Sequence, residues 1–151
     1  MAAKLSRCLA LWLIAVMHIA SSANSGYFWD VLDHPSYAPV PLGAGWPFRY
    51  NVSTPGSFAP GTDPSEIVVV HAGLYVAIWK ANCLFVNNAC TLTVNGEPVP
   101  GGLWKDCQGH AVVEVPAGAN VSVVMAGYGD YVNSFDIPGE TASSLLLVQQ
   151  I

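Results

Sequence analysis

Two triplets in this 151-residue chain have the spacing that a transferase reads. Asn51-Val52-Ser53 and Asn120-Val121-Ser122 both fit the Asn-x-Ser acceptor for N-linked glycans, so Asn51 and Asn120 are candidate glycosylation sites if the chain is exported. Cys83, Cys90 and Cys107 could do a second kind of chemistry. They form no Cys-x-x-Cys and match no common zinc spacing, and an oxidising compartment would leave one disulfide and one leftover thiol among them. His34, His71 and His110 are scattered and read as surface or hydrogen-bonded residues rather than a metal cluster. A third stretch, residues 127–140, is a candidate ligand loop. Tyr128 and Tyr131 could stack on sugar faces, and Asp130, Asn133 and Asp136 offer oxygens to calcium. Its spacing fits no standard calcium loop, and a solvated loop whose aromatics merely pack is the plainer reading. Trp46, Trp79 and Trp104 likewise read as core or interface anchors. No Gly-x-Ser-x-Gly elbow, phosphate-binding loop, His-Glu-x-x-His or EF-hand loop occurs, so no catalytic residue, metal ligand or cofactor is assigned and the chain is read as no enzyme.

The compartment follows from the first residues. Lys4 and Arg7 precede an apolar run over 8–20, and small residues Ser21, Ser22 and Ala23 close it. This is the pattern of a secretory signal peptide over residues 1–23. The run is short of the roughly 20 apolar residues of a spanning helix and is interrupted by His18, so a secreted, extracellular chain is expected rather than a transmembrane anchor. Five Lys/Arg stand against ten Asp/Glu, and no basic run is present that could neutralise nucleic-acid phosphates.

All 14 glycines and 11 prolines follow the signal, which disfavours helices. Seven prolines between residues 26 and 64 suggest an extended arm leading into edge strands and turns. Short apolar runs then recur at 67–70, 74–82, 91–94, 111–115, 121–125 and 145–148. Asn95-Gly96 is a tight-turn signal, and Pro116-Ala117-Gly118-Ala119 marks a second turn, expected to close a hairpin. Many short strands with Gly/Pro turns point to an all-β sandwich or barrel.

Alternation then separates the strands. Val121, Val123 and Met125 share one face while Asn120 and Ser122 share the other, so a glycan on Asn120 would point to solvent. The runs at 74–79 and 145–148 are apolar on both faces and need cover on both, from another subunit or from the Pro-rich arm.

The ordered pieces Glu66-Ile67-Val68-Val69-Val70, Gly73-Leu74-Tyr75-Val76-Ala77, Leu92-Thr93-Val94-Asn95-Gly96-Glu97 and Val115-Pro116-Ala117-Gly118-Ala119-Asn120, with a last strand Ser143-Ser144-Leu145-Leu146-Leu147-Val148, resemble the tumour-necrosis-factor/complement globular-head superfamily. The likeness is nearest to the C-terminal domain of collagen-like spore-surface glycoproteins. It implies a two-sheet antiparallel jelly-roll sandwich of ten strands, usually trimeric. The strand carrying Gly73 and Tyr75 and the last strand would both lie in the subunit-facing sheet. No Gly-X-Y stalk precedes the domain, and an aromatic arm takes its place. In such a fold Cys83 and Cys90 would bracket one loop and pair, leaving Cys107 towards the other end as a free or intermolecular thiol.

The expected organisation is a signal over 1–23, an extended aromatic arm over 24–36 and a jelly roll over 37–151. The expected interface comprises Tyr27, Phe28 and Trp29 of the arm, with Leu74, Tyr75, Val76, Trp79, Leu145, Leu146 and Leu147. The functional expectation is a non-enzymatic secreted glycoprotein that associates with itself into an extracellular structural assembly, trimer or filament. The alternative is a lectin-like or receptor-binding module with glycans as partners.

Overall fold

In the computed structural model, residues 24–31, 43–81, 89–105, 107–126 and 141–150 are described. Among them are ten strands: β1 (Ser25–Val31), β2 (Tyr50–Ser53), β3 (Phe58–Pro60), β4 (Ile67–Val69), β5 (Gly73–Ala81), β6 (Ala89–Val94), β7 (Glu97–Lys105), β8 (Gln108–Val115), β9 (Ala119–Met125) and β10 (Thr141–Gln149). They build two five-stranded sheets, ordered β2-β1-β10-β5-β8 and β3-β4-β9-β6-β7. All pairings are antiparallel. The all-β sandwich expected from the short runs and turns is what forms.

Period-two alternation decides what fills the core. In β9, Ala119, Val121, Val123 and Met125 are buried, and Asn120, Ser122 and Val124 are only half-buried, as the sequence required. In β5, Tyr75, Ala77, Trp79 and Ala81 point inward, and Leu74, Ile78 and Lys80 are exposed. Leu145 and Leu147 of β10 join Leu92, Val69 and Val115 among the fully buried side chains. The hairpin of β6 and β7 turns on Asn95 at φ 53° and Gly96 at φ 81°. A two-residue turn with both centres at positive φ matches the twist of its strands, which is why Asn-Gly signalled it.

Three expectations change. First, the stretch read as an arm is a strand of the sandwich: β1 lies between β2 and β10, with Phe28 opposite Asn51 on one side and Leu145 on the other. Phe28 finds its cover within its own chain, its ring meeting Phe58 edge-on at 5.3 Å. Pairing there also satisfies the backbone groups that β10 would otherwise leave at an open edge. The sandwich therefore starts by Ser25 instead of residue 37.

Second, the turn at 116–119 closes no hairpin. Gly118 takes φ 75° as a turn residue should, but β8 pairs with β5 in the first sheet and β9 pairs with β4 and β6 in the second. Turn chemistry sets where the chain reverses; it does not set which strand becomes the partner.

Third, the cysteines are distributed differently. Cys90 is a free, fully buried thiol and Cys107 is disulfide-bonded, which excludes the Cys83–Cys90 pair and the leftover role for Cys107. The reason is topological: β8 runs antiparallel to β5, so its start lies at the end of β5, and the Ala81 N–H donates to the Cys107 carbonyl at 2.7 Å. Cys107 is thus beside Ala81, at the β5 end where that strand finishes, and not at the far end of the sandwich. Burial pushes the Cys90 thiol up to about 12, against a smaller downward pull from Trp79. A thiol so held is chemically quiet.

Candidate functional site

The outward side of the first sheet is an apolar surface that crosses every strand. Cross-strand pairing lines up Val52 of β2, Tyr27 of β1, Leu146 of β10 and Ile78 of β5 in one row. The next row brings Val148, Val76 and Val112 together across β10, β5 and β8. A third contact extends it, because the Trp29 ring stacks between Tyr27 at 5.2 Å and Tyr50 at 5.8 Å. Val52 is 68% exposed, Val112 61%, Ile78 48% and Tyr27 41%. Single exposed apolar residues are ordinary, whereas a continuous field of them on a soluble domain marks an interaction surface. Lys80, His110 and Glu114 lie along its β5 and β8 side.

This face holds only part of the expected interface. Tyr27, Trp29, Leu74, Val76 and Leu146 face outward. Phe28, Tyr75, Trp79, Leu145 and Leu147 are buried in the core. The correction is a consequence of the pleat: a strand apolar on both faces gives every second residue to the sandwich, so consecutive residues cannot share one interface. Tyr75 also spends its hydroxyl inside the chain, donating to the His71 carbonyl at 2.8 Å. Tyr27 and Trp29 are fixed in the sheet, so these rings are not on a free arm that reaches a neighbour.

Neither sequon asparagine points onto the apolar face, although Val52, the middle residue of the first sequon, belongs to it. Asn51 is exposed on β2 between Tyr50 and Val52, which point outward, while Asn51 itself lines a cleft of about 340 Å³ at the open edge between β2 and β3, with Phe48 and Phe58. Asn120 emerges from the outer side of the second sheet and lines an open groove of about 640 Å³. Its Nδ2 donates to Glu66 Oε2 at 3.4 Å, and its backbone N–H donates to Asn95 Oδ1 at 3.0 Å. Beside it, the hydroxyls of Thr93 and Ser122 are bonded at 2.8 Å. Gly43, Ala44 and Gly45 form a wall without bulky side chains. This wall is held by the backbone of β9, through the Gly43 N–H to the Met125 carbonyl at 2.8 Å and the Trp46 N–H to the Val123 carbonyl at 2.9 Å.

Asp63 and Glu66 border both the cleft and the groove, on the turn between β3 and β4. The Ser65 hydroxyl and backbone N–H donate to Asp63 Oδ1 at 2.6 and 2.8 Å, holding its carboxyl below the usual carboxylate range. This turn has no periodic signal in its proline-rich stretch; Asp63, Ser65 and Glu66 are its chemical signal in the sequence. The candidate loop residues Tyr128, Asp130, Tyr131, Asn133 and Asp136 fall outside the described residues, as do His34 and Cys83.

No family model matches the chain, and no curated protein does. Among solved structures it is similar to GITRL from bushbaby, with a TM-score of 0.52 and 11% identity over 85% of this chain and 95% of that one. It is also similar to murine APRIL at pH 8.0, with a TM-score of 0.51 and 10% identity over 85% of this chain and all of that one. At such identity the likeness is one of fold: a jelly roll of the tumour-necrosis-factor type.

Proposed function

We propose that this jelly roll is a secreted, N-glycosylated, non-enzymatic protein that associates with further copies of itself through the outward face of the first sheet. The carrying observation is the row Val52, Tyr27, Leu146 and Ile78, continuous across four strands. Burying a large apolar side chain is worth about 1.5–3 kcal/mol, so leaving this field in water forgoes a large favourable contribution. The sequons bear on the same reading: the Asn51 and Asn120 side chains turn away from the outward face of the first sheet, towards the cleft and the groove. A closed trimer is the favoured assembly, in keeping with the fold. A filament through a free arm loses its support, because the aromatic residues belong to β1. The further step to an extracellular coat, like that of the spore-surface glycoproteins, rests on the order of the sequence pieces alone.

Sedimentation of the secreted protein over a dilution series tests self-association. A fast species that dissociates on dilution is expected. A single monomeric boundary at every concentration would overturn the proposal.

A further inference from the structure

We propose that the groove on the outer side of the second sheet is the seat of the chain's own N-glycan, carried on Asn120 and packed by its first sugars against Glu66, Ser122 and the Gly43–Gly45 wall. This is independent of self-association and rests only on the secretory route proposed above. Asn120 and Ser122 are alternate residues of β9, so the modified amide and the hydroxyl that the sequon requires face the groove together. Transfer takes place on the unfolded chain, before β9 pairs with β4 and β6. The Asn120 nitrogen bonds to the anomeric carbon of a lipid-linked oligosaccharide, the carbon–oxygen bond to the lipid diphosphate breaks, the diphosphate leaves with that electron pair, and the amide gives up one proton. The amide keeps its second N–H, which is the donor available to Glu66 Oε2.

The groove suits the occupant. Sugar hydroxyls are donors seeking acceptors, and here the carboxylates of Glu66 and Asp63 stand beside the Thr93 and Ser122 hydroxyls. Val124 and Pro98 offer apolar contact to the C–H side of a ring, and glycine and alanine on the wall leave its space open. Free sugars bind such shallow polar sites weakly, but a tether of one side chain gives an effective concentration on the order of mM, enough to keep a weak seat filled. Asn51 is the reference site within the same chain: it is an exposed residue of an edge strand, bordering the smaller cleft.

The test is to express the full chain in a eukaryotic secretory host, map both sites by glycopeptide mass spectrometry, and follow release by an endoglycosidase that cuts between the first two sugars. Both sites are expected to be occupied. In the native protein the Asn120 glycan should be cut about tenfold more slowly than the Asn51 glycan, and equally fast after unfolding. Ala126→Trp, which fills the groove from an exposed position and leaves the sequon intact, should abolish that protection. Equal native rates, or protection that survives Ala126→Trp, would overturn the seat. Occupancy of Asn51 with Asn120 bare would overturn it while leaving secretion standing. Binding of added chitobiose to a bare groove would replace it with a lectin site. Failure of the chain to be exported or glycosylated at all would remove the secretory reading as well.

Discussion

Ile78 of β5 and Leu146 of β10 are directly paired across the first sheet, both on its outward side, and Ile78 remains 48% exposed. One residue along, Leu147 pairs with Ala77 and both are completely buried. Adjacent leucines in one apolar run therefore do different jobs, and mutation should separate them. Under dilute conditions Leu146→Ser, at a half-buried position between Tyr27 and Ile78, should cost only about 1 kcal/mol. Leu147→Ala should cost about 2–5 kcal/mol, because it opens a cavity in the core. Urea unfolding of the two variants measures the difference, and equal losses would contradict the assignment of faces.

The disulfide framework is open to direct reading. Cys90 is buried and free, Cys107 is bonded, and Cys83 is only two residues beyond Ala81, whose N–H is bonded to the Cys107 carbonyl. Peptide mapping of the protein, expressed through a secretory host, should find Cys107 linked to Cys83. Cys90 should react with alkylating reagent only after unfolding, since burial keeps it protonated up to about pH 12. Rapid labelling of native Cys90 would contradict this.

The hairpin turn offers a backbone test. Gly96 sits at φ 81°, a conformation that costs a residue with a Cβ about 1–2 kcal/mol. Gly96→Ala should lower stability by about that amount, measured by thermal unfolding, and an unchanged midpoint would contradict the turn geometry.

Acid behaviour should report the turn before β4. Hydrogen bonds from Ser65 lower the pKa of Asp63, so the charged carboxylate is favoured in the folded chain. That contribution is fully present above the ordinary carboxylate pKa and disappears as pH falls through the lowered one. Ser65→Ala should move the Asp63 midpoint upward, towards the ordinary value, in a carboxyl-carbon NMR titration. A midpoint that stays in place would show that the hydroxyl is not the cause.

What could be read from the sequence was local. The alternation of Asn120 to Met125 and the Asn95-Gly96 turn are each written in neighbouring residues, and both form as expected. Edge positions for β2 and β3 also follow from their proline-rich surroundings. Most of the differences involve partners distant in the chain; the interface residues are the exception, since strand alternation alone sends Tyr75, Trp79, Leu145 and Leu147 into the core. Three consecutive aromatic residues at 27–29 look like a sticky arm, because nothing nearby indicates that Leu145 is waiting opposite Phe28. The place of Cys107 depends on the pairing of β8 with β5, which no neighbouring residue specifies. The groove at Asn120 was not visible at all, since its wall and acidic rim come from a stretch with no periodicity.

Light scattering on the purified protein, compared with Val112→Glu, tests most directly whether the outward face of the first sheet joins copies of the chain. Val112 is 61% exposed and adjoins Val76 on that face, so a carboxylate there should leave the fold intact and charge the interface. The account predicts a trimer for the unaltered protein and a monomer of unchanged thermal stability for the variant. A monomeric unaltered protein, or an assembly indifferent to Val112→Glu, would contradict it.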